Sequence, residues 1–376
     1  MTDAFITASG QFLPGDPIPN DRIEHHIGVV SPLASRRGRL VLRQNRITTR
    51  HYAMRADGST DHSVASLAAD AVRDLLSRAE IGAESLDLLA SATTQADGLV
   101  PGLASAVHRA LGLRPLEIVS HQSVCASAMM ALKTAWLNVK AGERQAAVAV
   151  GAEFSSRYFR PGFYHGTGAV DADGAIAGDA DFLRWTMSDG AAAVLVEPAP
   201  ARHALSLRID WIELRSFADR FDPCMTGGHA RGEGGLRPWS HHASAAEAAA
   251  AGAFLLRQDV DALQRMYPVW IAELMRLIDV GRIDIGRVDH FLCHFSAHSI
   301  RHELVRLATR AGCMIPEERW FTNLYEKGNV GSASLFLLLD DLLRSGRLEP
   351  GQTVLCAVPE SGQCIMSFMQ AEVVAP

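Results

Sequence analysis

Cys125 stands where a short buried strand is predicted to turn into a helix. Residues 117–121 have the pattern of a strand, residues 122–125 form a turn, and residues 126–136 form an amphipathic helix. The unpaired N–H groups and the positive dipole end at a helix start stabilise a thiolate, the nucleophilic form of cysteine. Cys125 is therefore a candidate nucleophile, and the backbone N–H groups of Cys125 and Ala126 are candidate donors to an oxyanion formed on it. A cysteine packed at a strand–helix junction would give the same pattern.

His294 and Asn329 carry side-chain hydrogen-bond donors suited to the same chemistry. His294 ends a predicted strand at 291–294, and Asn329 lies in the segment 328–334 (GNVGSAS) before another helix. A neutral imidazole and a carboxamide can both donate to a carbonyl oxygen as it becomes an enolate or a tetrahedral oxyanion. Each also has a structural explanation, because histidine often ends a strand and a Gly-Asn pair often caps a helix.

The elements that must position these residues occur twice along the chain. Each repeat consists of a helix end that leads into a buried strand. The first pair of repeats is 74–91 and 276–293, and the second pair is 128–150 and 334–358. This internal similarity indicates a duplicated fold.

Strands followed by helices in both parts predict mainly parallel sheets covered by helices. We therefore predict an α/β fold with two similar halves. Residues 1–200 form the half that carries the nucleophilic cysteine, and residues 201–376 form the half that carries the histidine and the asparagine.

The composition restricts the class of protein. The chain has 376 residues, of which 48% are hydrophobic and 21% are charged, as in ordinary globular proteins. Its formal net charge of -6 argues against a nucleic-acid partner, because such binding needs an excess of Lys and Arg. A leader peptide and an apolar run of about 18 residues are both missing from the sequence, so we expect no membrane association and a cytoplasmic location. The six cysteines lack the spacing of zinc ligands, so we expect free thiols and no metal.

The order of the candidate residues resembles the β-ketoacyl-ACP synthase III group of the thiolase superfamily. The helix after Cys125, the strand that ends in His294 and the GNVGSAS segment follow the order of that group. Residues 43–50 (RQNRITTR) are similar to its arginine-containing stretch, and residues 93–101 (TTQADGLVP) are similar to its dimer-interface loop. The resemblance extends over nearly the whole chain and implies a thiolase-like fold with duplicated, layered αβαβα halves.

This resemblance implies a role for each candidate. Cys125 is expected to be acylated by a thioester, while His294 and Asn329 are expected to activate the thioester of a second substrate. Thioesters of CoA or of an acyl carrier protein would be the substrates, and no further cofactor is expected. The similarity of the interface loop implies a homodimer.

Shorter motifs resemble a subgroup, the ketosynthases that make cyclohexanediones and dialkylresorcinols. The motifs are FLRW at 182–185, WFTNL at 320–324 and VPESG at 358–362. Members of this subgroup join a β-ketoacyl thioester to an α,β-unsaturated acyl thioester by Claisen condensation and Michael addition, which closes a six-membered ring. Glu153, at the end of a predicted strand, is a candidate base for the acidic carbon between the two carbonyl groups. A solvated or ion-paired carboxylate would fit the same place.

Two differences from the synthases that prime fatty-acid synthesis concern the choice of substrate. Val100 stands where many of those enzymes have Phe at the dimer-side end of the acyl pocket. Less bulk at this place suits a longer or an aryl-bearing acyl chain. The turn 361–364 replaces their glycine-rich turn, and Gly362 within it is a candidate contact of the substrate.

Positive charge is concentrated in residues 36–46 of this acidic protein. Arg43, in that stretch, and Arg50 are candidates to receive the phosphates of CoA or an acidic acyl carrier protein. A solvated helix face would have the same composition.

Three other functions fit the same residues. The chain could prime fatty-acid synthesis with a malonyl thioester, or it could pass an acyl group to an alcohol or an amine. It could also be a silent subunit that completes a dimer or binds a carrier protein. A silent subunit is expected to lose Cys125, His294 or Asn329, and all three are present.

Overall fold

The computed structural model describes residues 2–232 and 234–376. The strands, in chain order, are β1 (Phe5–Phe12), β2 (Ile18–Pro19), β3 (Thr49–Arg50), β4 (Leu88–Thr93), β5 (Glu117–Gln122), β6 (Ala147–Glu153), β7 (Gly190–Glu197), β8 (Ser206–Ser216), β9 (Met225–Thr226), β10 (His229–Gly232), β11 (Gly235–Pro238), β12 (Arg257–Gln258), β13 (His290–Cys293), β14 (Thr353–Glu360) and β15 (Ile365–Val374). The helices are α1 (Ile23–Ile27), α2 (Pro32–Asn45), α3 (Val64–Ala79), α4 (Leu103–Leu111), α5 (Ser127–Ala141), α6 (Gly178–Thr186), α7 (Ala245–Ala250), α8 (Val260–Asp279), α9 (His298–Arg310), α10 (Leu324–Lys327) and α11 (Ser334–Arg344).

The main sheet is mixed. Nine strands of the described residues pair in the order β13-β14-β15-β8-β1-β7-β6-β4-β5. The pairs β4–β5, β4–β6 and β13–β14 are parallel, and the pairs between them are antiparallel. The predicted parallel pairing is thus limited to the outer parts of the sheet. One reason is the short turn from Glu360 to Ile365, which is too short for the helical crossover that a parallel pair needs.

The two predicted halves have the same plan. In the first half the strand order is β4-β6-β7-β1, and in the second it is β13-β14-β15-β8. By position along the chain, helices α3, α4 and α5 correspond to α8, α9 and α11. The counterpart of β5 is reduced to a single bridge between Phe291 and Trp320. The sheet is continuous because β1 and β8 pair through Phe5↔Arg208 and Ile6↔Leu207.

Helices α5 and α11 form the central layer. Met129 and Leu132 of α5 share one buried cluster with Phe336 and Leu339 of α11 and with strand residues of both halves. A second cluster contains α3 and α4, and a third contains α8 and α9. The two halves therefore cover the central helix pair from both sides, and each carries its own outer helices.

Strand β6 explains how one sheet serves two of these clusters. Its Ala147 and Ala149 belong to the central cluster, whereas Val148 and Val150 belong to the α3 cluster. Successive side chains of a strand point to opposite faces, and small residues on the inner face let the central helices approach closely. Within the described ranges, none of the helices combines the length and the apolar character needed to cross a bilayer.

Candidate active site

Cys125, His294 and Asn329 line one cavity, whose empty volume is about 440 Å³ including its open side. Cys125 precedes α5, Asn329 precedes α11, and His294 follows β13, so the duplicated plan brings the three residues to one place. Their exposed fractions are only 8%, 4% and 2%. The other walls are mainly apolar and include Leu183, Met187, Met225, Leu263, Trp270, Phe295, Ile300 and Pro359. A largely apolar cavity with a few converging polar groups is typical of a substrate site.

The turn that carries Cys125 is fixed by the buried carboxylate of Glu360. Glu360 accepts hydrogen bonds from the Ser123 hydroxyl at 2.7 Å, from the Val124 N–H at 3.1 Å and from the Ala126 N–H at 2.8 Å. Its exposed fraction is 1%. Because Glu360 ends β14, a strand of the second half holds the nucleophile turn of the first half in place.

Burial and charge make Cys125 a weak acid, contrary to the expectation from its helix start. Desolvation is the main cause that raises the pKa of the Cys125 thiol well above its ordinary value. The negative charges of Glu360 and Glu153 raise this pKa further. The resting form of the site therefore holds a thiol, and its proton must be removed when a substrate is attacked.

The structure corrects one of the two predicted oxyanion donors. The Ala126 N–H already donates to Glu360, so it cannot also donate to an oxyanion on Cys125 without breaking that bond. The Cys125 N–H, in contrast, has no acceptor among the hydrogen bonds of the described residues. It is a free donor directly beside the thiol.

His294 presents a neutral imidazole to the cavity. Its backbone N–H donates to Ala357 O at 2.9 Å, which extends the parallel β13–β14 pairing to the residue after the strand. Burial lowers the pKa of His294 to about 4. At neutral pH the ring therefore has one donor and one acceptor nitrogen.

The Asn329 side chain is oriented by the loop that follows it. Its Oδ1 accepts from the Gly331 N–H at 3.0 Å, and its Nδ2 lies 3.1 Å from the sulfur of Met187. Since the oxygen is occupied by a backbone donor, the amide nitrogen is the end available for a substrate carbonyl. A thioether is a weak acceptor, so little energy opposes a change of partner.

Glu153 lies behind the wall of the cavity rather than on it. Its Oε1 accepts from the Thr94 N–H at 2.9 Å, the Thr94 hydroxyl at 2.6 Å and the Ser332 N–H at 3.1 Å. Gly331, which lines the cavity, lies directly against this carboxylate, because an added Cβ there would be 2.9 Å from Oε1. Burial raises the pKa of Glu153. The carboxylate thus holds the loop of Asn329, and its predicted role as a base stays a prediction.

A wider cleft lies next to the cavity and contains one of the two predicted arginines. Arg43 lines this cleft together with Arg46, Gln264 and His298, and the empty volume there is about 1160 Å³. The two spaces are close together, because Ser299 lines the cleft and the next residue, Ile300, lines the cavity. The cleft therefore brings two arginines, together with Asp181, close to the site.

The structure corrects the phosphate-binding role predicted for Arg50. Its guanidinium is fully buried and donates to Trp185 O at 2.5 Å and to Asn20 Oδ1 at 2.7 Å. A cation enclosed in this way holds the framework beneath the cavity and does not reach a phosphate in solvent.

Val100 and Gly362, the remaining predicted contacts, do not line the cavity. Val100 is 84% exposed on the surface of the chain, so its predicted place at the end of an acyl pocket needs a second subunit and stays a prediction. Gly362 packs against the nucleophile turn, since an added Cβ would be 2.9 Å from Glu360 Oε1 and 3.0 Å from Val124 Cγ2. Its neighbour Ser361 lines the cavity instead.

Glu360, which holds the turn of Cys125, was not identified as a functional residue from the sequence. It belongs to the VPESG motif, which was noted only as a resemblance. A carboxylate at the end of an otherwise apolar strand is the signal that could have drawn attention to it, because a buried charge needs partners.

Two family models match separate parts of the chain. The family "Thiolase, N-terminal domain" matches residues 48–161, which include Cys125. The family "3-Oxoacyl-[acyl-carrier-protein (ACP)] synthase III C terminal" matches residues 280–367, which include His294 and Asn329. The two matches thus follow the two halves.

Individual relatives agree with these families. The β-ketoacyl-[acyl-carrier-protein] synthase III of Bordetella petrii is 27% identical over 364 residues, with 94% of each chain covered. Among solved structures, the tetronic acid condensing enzyme AbyA1 has a TM-score of 0.77 at 21% identity, covering 99% of this chain and 100% of AbyA1. OleA of Xanthomonas campestris with bound cerulenin has a TM-score of 0.73 at 19% identity, covering 99% of this chain and 97% of OleA. The predicted thiolase-like α/β fold is confirmed.

Proposed function

We propose that the chain is a condensing enzyme of the β-ketoacyl-ACP synthase III type, which the two family matches and the relatives support, and that it joins two acyl thioesters through an acyl group carried on Cys125. The observation that supports this most strongly is the shared cavity, in which a thiol, a neutral imidazole and a carboxamide converge between apolar walls. Nucleophilic catalysis of this kind proceeds by a ping-pong mechanism.

In the first step the Cys125 sulfur attacks the carbonyl carbon of an acyl thioester. The thiol proton passes to the neutral imidazole of His294, and the oxyanion accepts a hydrogen bond from the free Cys125 N–H. Collapse of the intermediate breaks the bond to the leaving sulfur, which takes the proton from His294. The products are acyl-Cys125 and a free thiol, so protons and electron pairs balance.

In the second step another thioester supplies the carbon nucleophile. His294 and Asn329 donate hydrogen bonds to its thioester carbonyl, which stabilises the enolate formed when the α-carbon loses its proton. This carbon attacks the acyl group, a carbon–carbon bond forms, and the Cys125 sulfur leaves as a thiolate. The proton removed from the α-carbon restores the thiol.

We propose a β-ketoacyl thioester as this nucleophile and Glu153 as the base. A carbon between a ketone and a thioester is far more acidic than an ordinary thioester α-carbon, so a carboxylate with a raised pKa is strong enough to assist. For Glu153 to act, the Gly331 segment must shift enough to admit the substrate to the unoccupied Oε2, since Oε1 accepts three hydrogen bonds. An α,β-unsaturated acyl group on Cys125 would then allow ring closure to a cyclohexanedione or a resorcinol precursor.

The approach to the site supports a phosphate-bearing thioester. Arg43 and Arg46 in the outer cleft are positioned for the phosphates of CoA or for the phosphopantetheine of an acyl carrier protein. We further propose a homodimer in which residues 93–101, including the exposed Val100, meet the partner subunit.

A test compares two carbon nucleophiles on the same acyl-enzyme. Enzyme acylated on Cys125 is given a malonyl or a β-ketoacyl thioester, and carbon dioxide release and product masses are measured. The proposal predicts faster turnover of the β-ketoacyl thioester without carbon dioxide. Equal or faster turnover of malonyl would contradict it and favour priming of chain elongation.

The proposed base is tested with Glu153→Gln in the same assay. The expected result is a loss of condensation of roughly 100-fold or more, the lower range for a general base, with normal acylation of Cys125. Unchanged condensation would leave Glu153 with only its hydrogen bonds to Thr94 and Ser332.

A further inference from the structure

A second cavity lies behind the candidate active site and is lined almost entirely by apolar side chains. It is enclosed by strands β13, β14 and β15 and by helices α8 and α9, and its empty volume is about 450 Å³, including its open side. Phe291, Leu304, Ala308, Ile315 and Phe368 are among its walls. We call this space the apolar chamber.

The apolar chamber adjoins the active-site cavity. Trp270 and Pro359 line both spaces, so the Trp270 side chain stands at the boundary between them. Trp270 is 3% exposed, and among the described residues its indole N–H has the Cys364 thiol, a weak acceptor, as its neighbouring polar group.

The chemistry of the walls indicates what the chamber can hold. Trp320 also lines it, but its indole N–H is bonded to Ile315 O at 2.8 Å and is not available. An apolar cavity stays dry, because a water needs two to four polar partners. Hydrocarbon is therefore the occupant that suits these walls, and each methylene taken from water into them contributes about fourfold in affinity.

The chamber belongs to the half that carries His294. All of its lining residues lie between Trp270 and Phe368, and the Cys125 half contributes none of them. Phe291 and Cys293, which belong to the strand that leads to His294, are among them. In the proposed reaction His294 binds the carbonyl of the second thioester, and the strand that positions His294 also lines this space.

We propose that the apolar chamber binds the hydrocarbon end of the second acyl thioester, and that Trp270 must turn aside or shift to admit it. This inference rests on the proposed function and adds the site that selects the nucleophile's chain. The chain enters past Trp270 and Pro359, with its thioester carbonyl held at His294 and Asn329. The chamber then limits the chain length of the second substrate within one subunit. This limit does not depend on the role predicted for Val100 in the acyl pocket.

The test measures binding rather than turnover, so that it does not depend on the reaction. In a Cys125→Ala background, β-ketoacyl-CoA thioesters of increasing chain length are titrated by calorimetry. Ala308→Phe fills the chamber, Leu304→Ala enlarges it, and Thr309→Phe adds the same ring on the exposed side of α9 as a matched control.

The expected result is that affinity rises by roughly fourfold for each added methylene until the chamber is filled. Ala308→Phe should move this limit to shorter chains and Leu304→Ala to longer ones, while Thr309→Phe leaves it unchanged. If Ala308→Phe does not fold, the shift of the chain-length limit in Leu304→Ala is sufficient to test the proposal. A chain-length limit that is the same in every folded variant would overturn the proposal, and so would binding that does not respond to chain length.

Failure of the proposed function has a different signature. In that case the Cys125 enzyme would form no carbon–carbon product from any pair of thioesters, although the binding series could still follow the chamber variants.

Discussion

Two buried glutamates occupy equivalent places in the two halves and hold the site together crosswise. Glu153 ends β6 and Glu360 ends β14, and these strands correspond in the duplicated plan. Glu153 binds the Ser332 N–H, just before α11, whereas Glu360 binds the Ala126 N–H, just before α5. Each half therefore fixes the helix start of the other half, and the central helices cannot shift without breaking both contacts.

The difference between the glutamates shows how a duplicated fold divides its tasks. Glu360 accepts all three of its hydrogen bonds from the nucleophile turn, while Glu153 accepts two of its three from Thr94 of its own half. Ala92 of β4 corresponds to His294 in the repeats 74–91 and 276–293, so the same position holds a buried methyl group in one half and a cavity imidazole in the other. We infer that the first half supplies the covalent carrier and the second supplies the donors to the second substrate.

The largest effect is expected when a hydrogen-bond donor of the second half is removed. In Asn329→Ala we expect acylation of Cys125 to continue while condensation falls about 100- to 1,000-fold, the usual cost of losing one oxyanion donor. Single-turnover mass spectrometry separates the two steps. Asn323→Ala is the control, because this nearby amide binds Asp341 and does not line the cavity. An equal loss of Cys125 acylation and of condensation would contradict the division of tasks between the halves.

His294 should also make stability depend on pH, unlike Ala92 at the equivalent place, which has no titratable group. Its pKa is about 4 in the folded protein, against about 6.5 in the unfolded chain. Between these values the unfolded state binds the proton and the folded state does not, so stability falls as pH drops from 7 to 5. The loss is about 2 kcal/mol, and it should be absent in His294→Gln.

Urea unfolding at the two pH values provides the measurement. His290→Gln, in the same strand, is the control and should keep the full pH dependence, since His290 lies at the strand's other end, where it contacts Gln352. An identical pH dependence in His294→Gln and the unaltered protein would show that the buried imidazole is not the titrating group.

The smallest expected effect is a shift in the pH profile of Cys125 alkylation, and it allows the two glutamates to be compared directly. The Cys125 thiol has a raised pKa partly because of the charge on Glu360 and, after it, the charge on Glu153. Glu360→Gln should therefore move the pH profile of Cys125 alkylation by iodoacetamide to lower pH, and Glu153→Gln should move it less. A purely structural role of Glu360 would slow alkylation at every pH without moving the profile.

The sequence predicted the parts of the site that depend on local pattern. The strand–turn–helix around Cys125, the strand before His294 and the GNVGSAS loop have short-range signals, and the structure has all three in place. The two similar halves were also predictable, because hydrophobic periodicity repeats along the chain. The antiparallel centre of the sheet was not, since strand pairing depends on connections that a repeat pattern does not specify.

The contacts that tune the site depend on residues far apart in sequence. Glu360 reaches Ala126 across 234 positions, and Arg50 reaches Trp185 across 135. A local motif cannot distinguish an arginine that binds phosphate from one enclosed beneath the cavity. The same limit applies to the Cys125 pKa, because the favourable helix start was visible in the sequence and the opposing burial and carboxylates were not.

The most direct test of the account is to locate the acyl group after the enzyme has been incubated with a single acyl thioester. Intact-mass and peptide-mapping measurements should find one acyl group, on the peptide that contains Cys125, and none in Cys125→Ala. Cys293 and Cys313, which line the apolar chamber, are the informative internal controls and should stay unmodified. An acyl group that persists in Cys125→Ala, or that maps to Cys293 in the unaltered enzyme, would contradict the assignment of Cys125 as the acyl carrier.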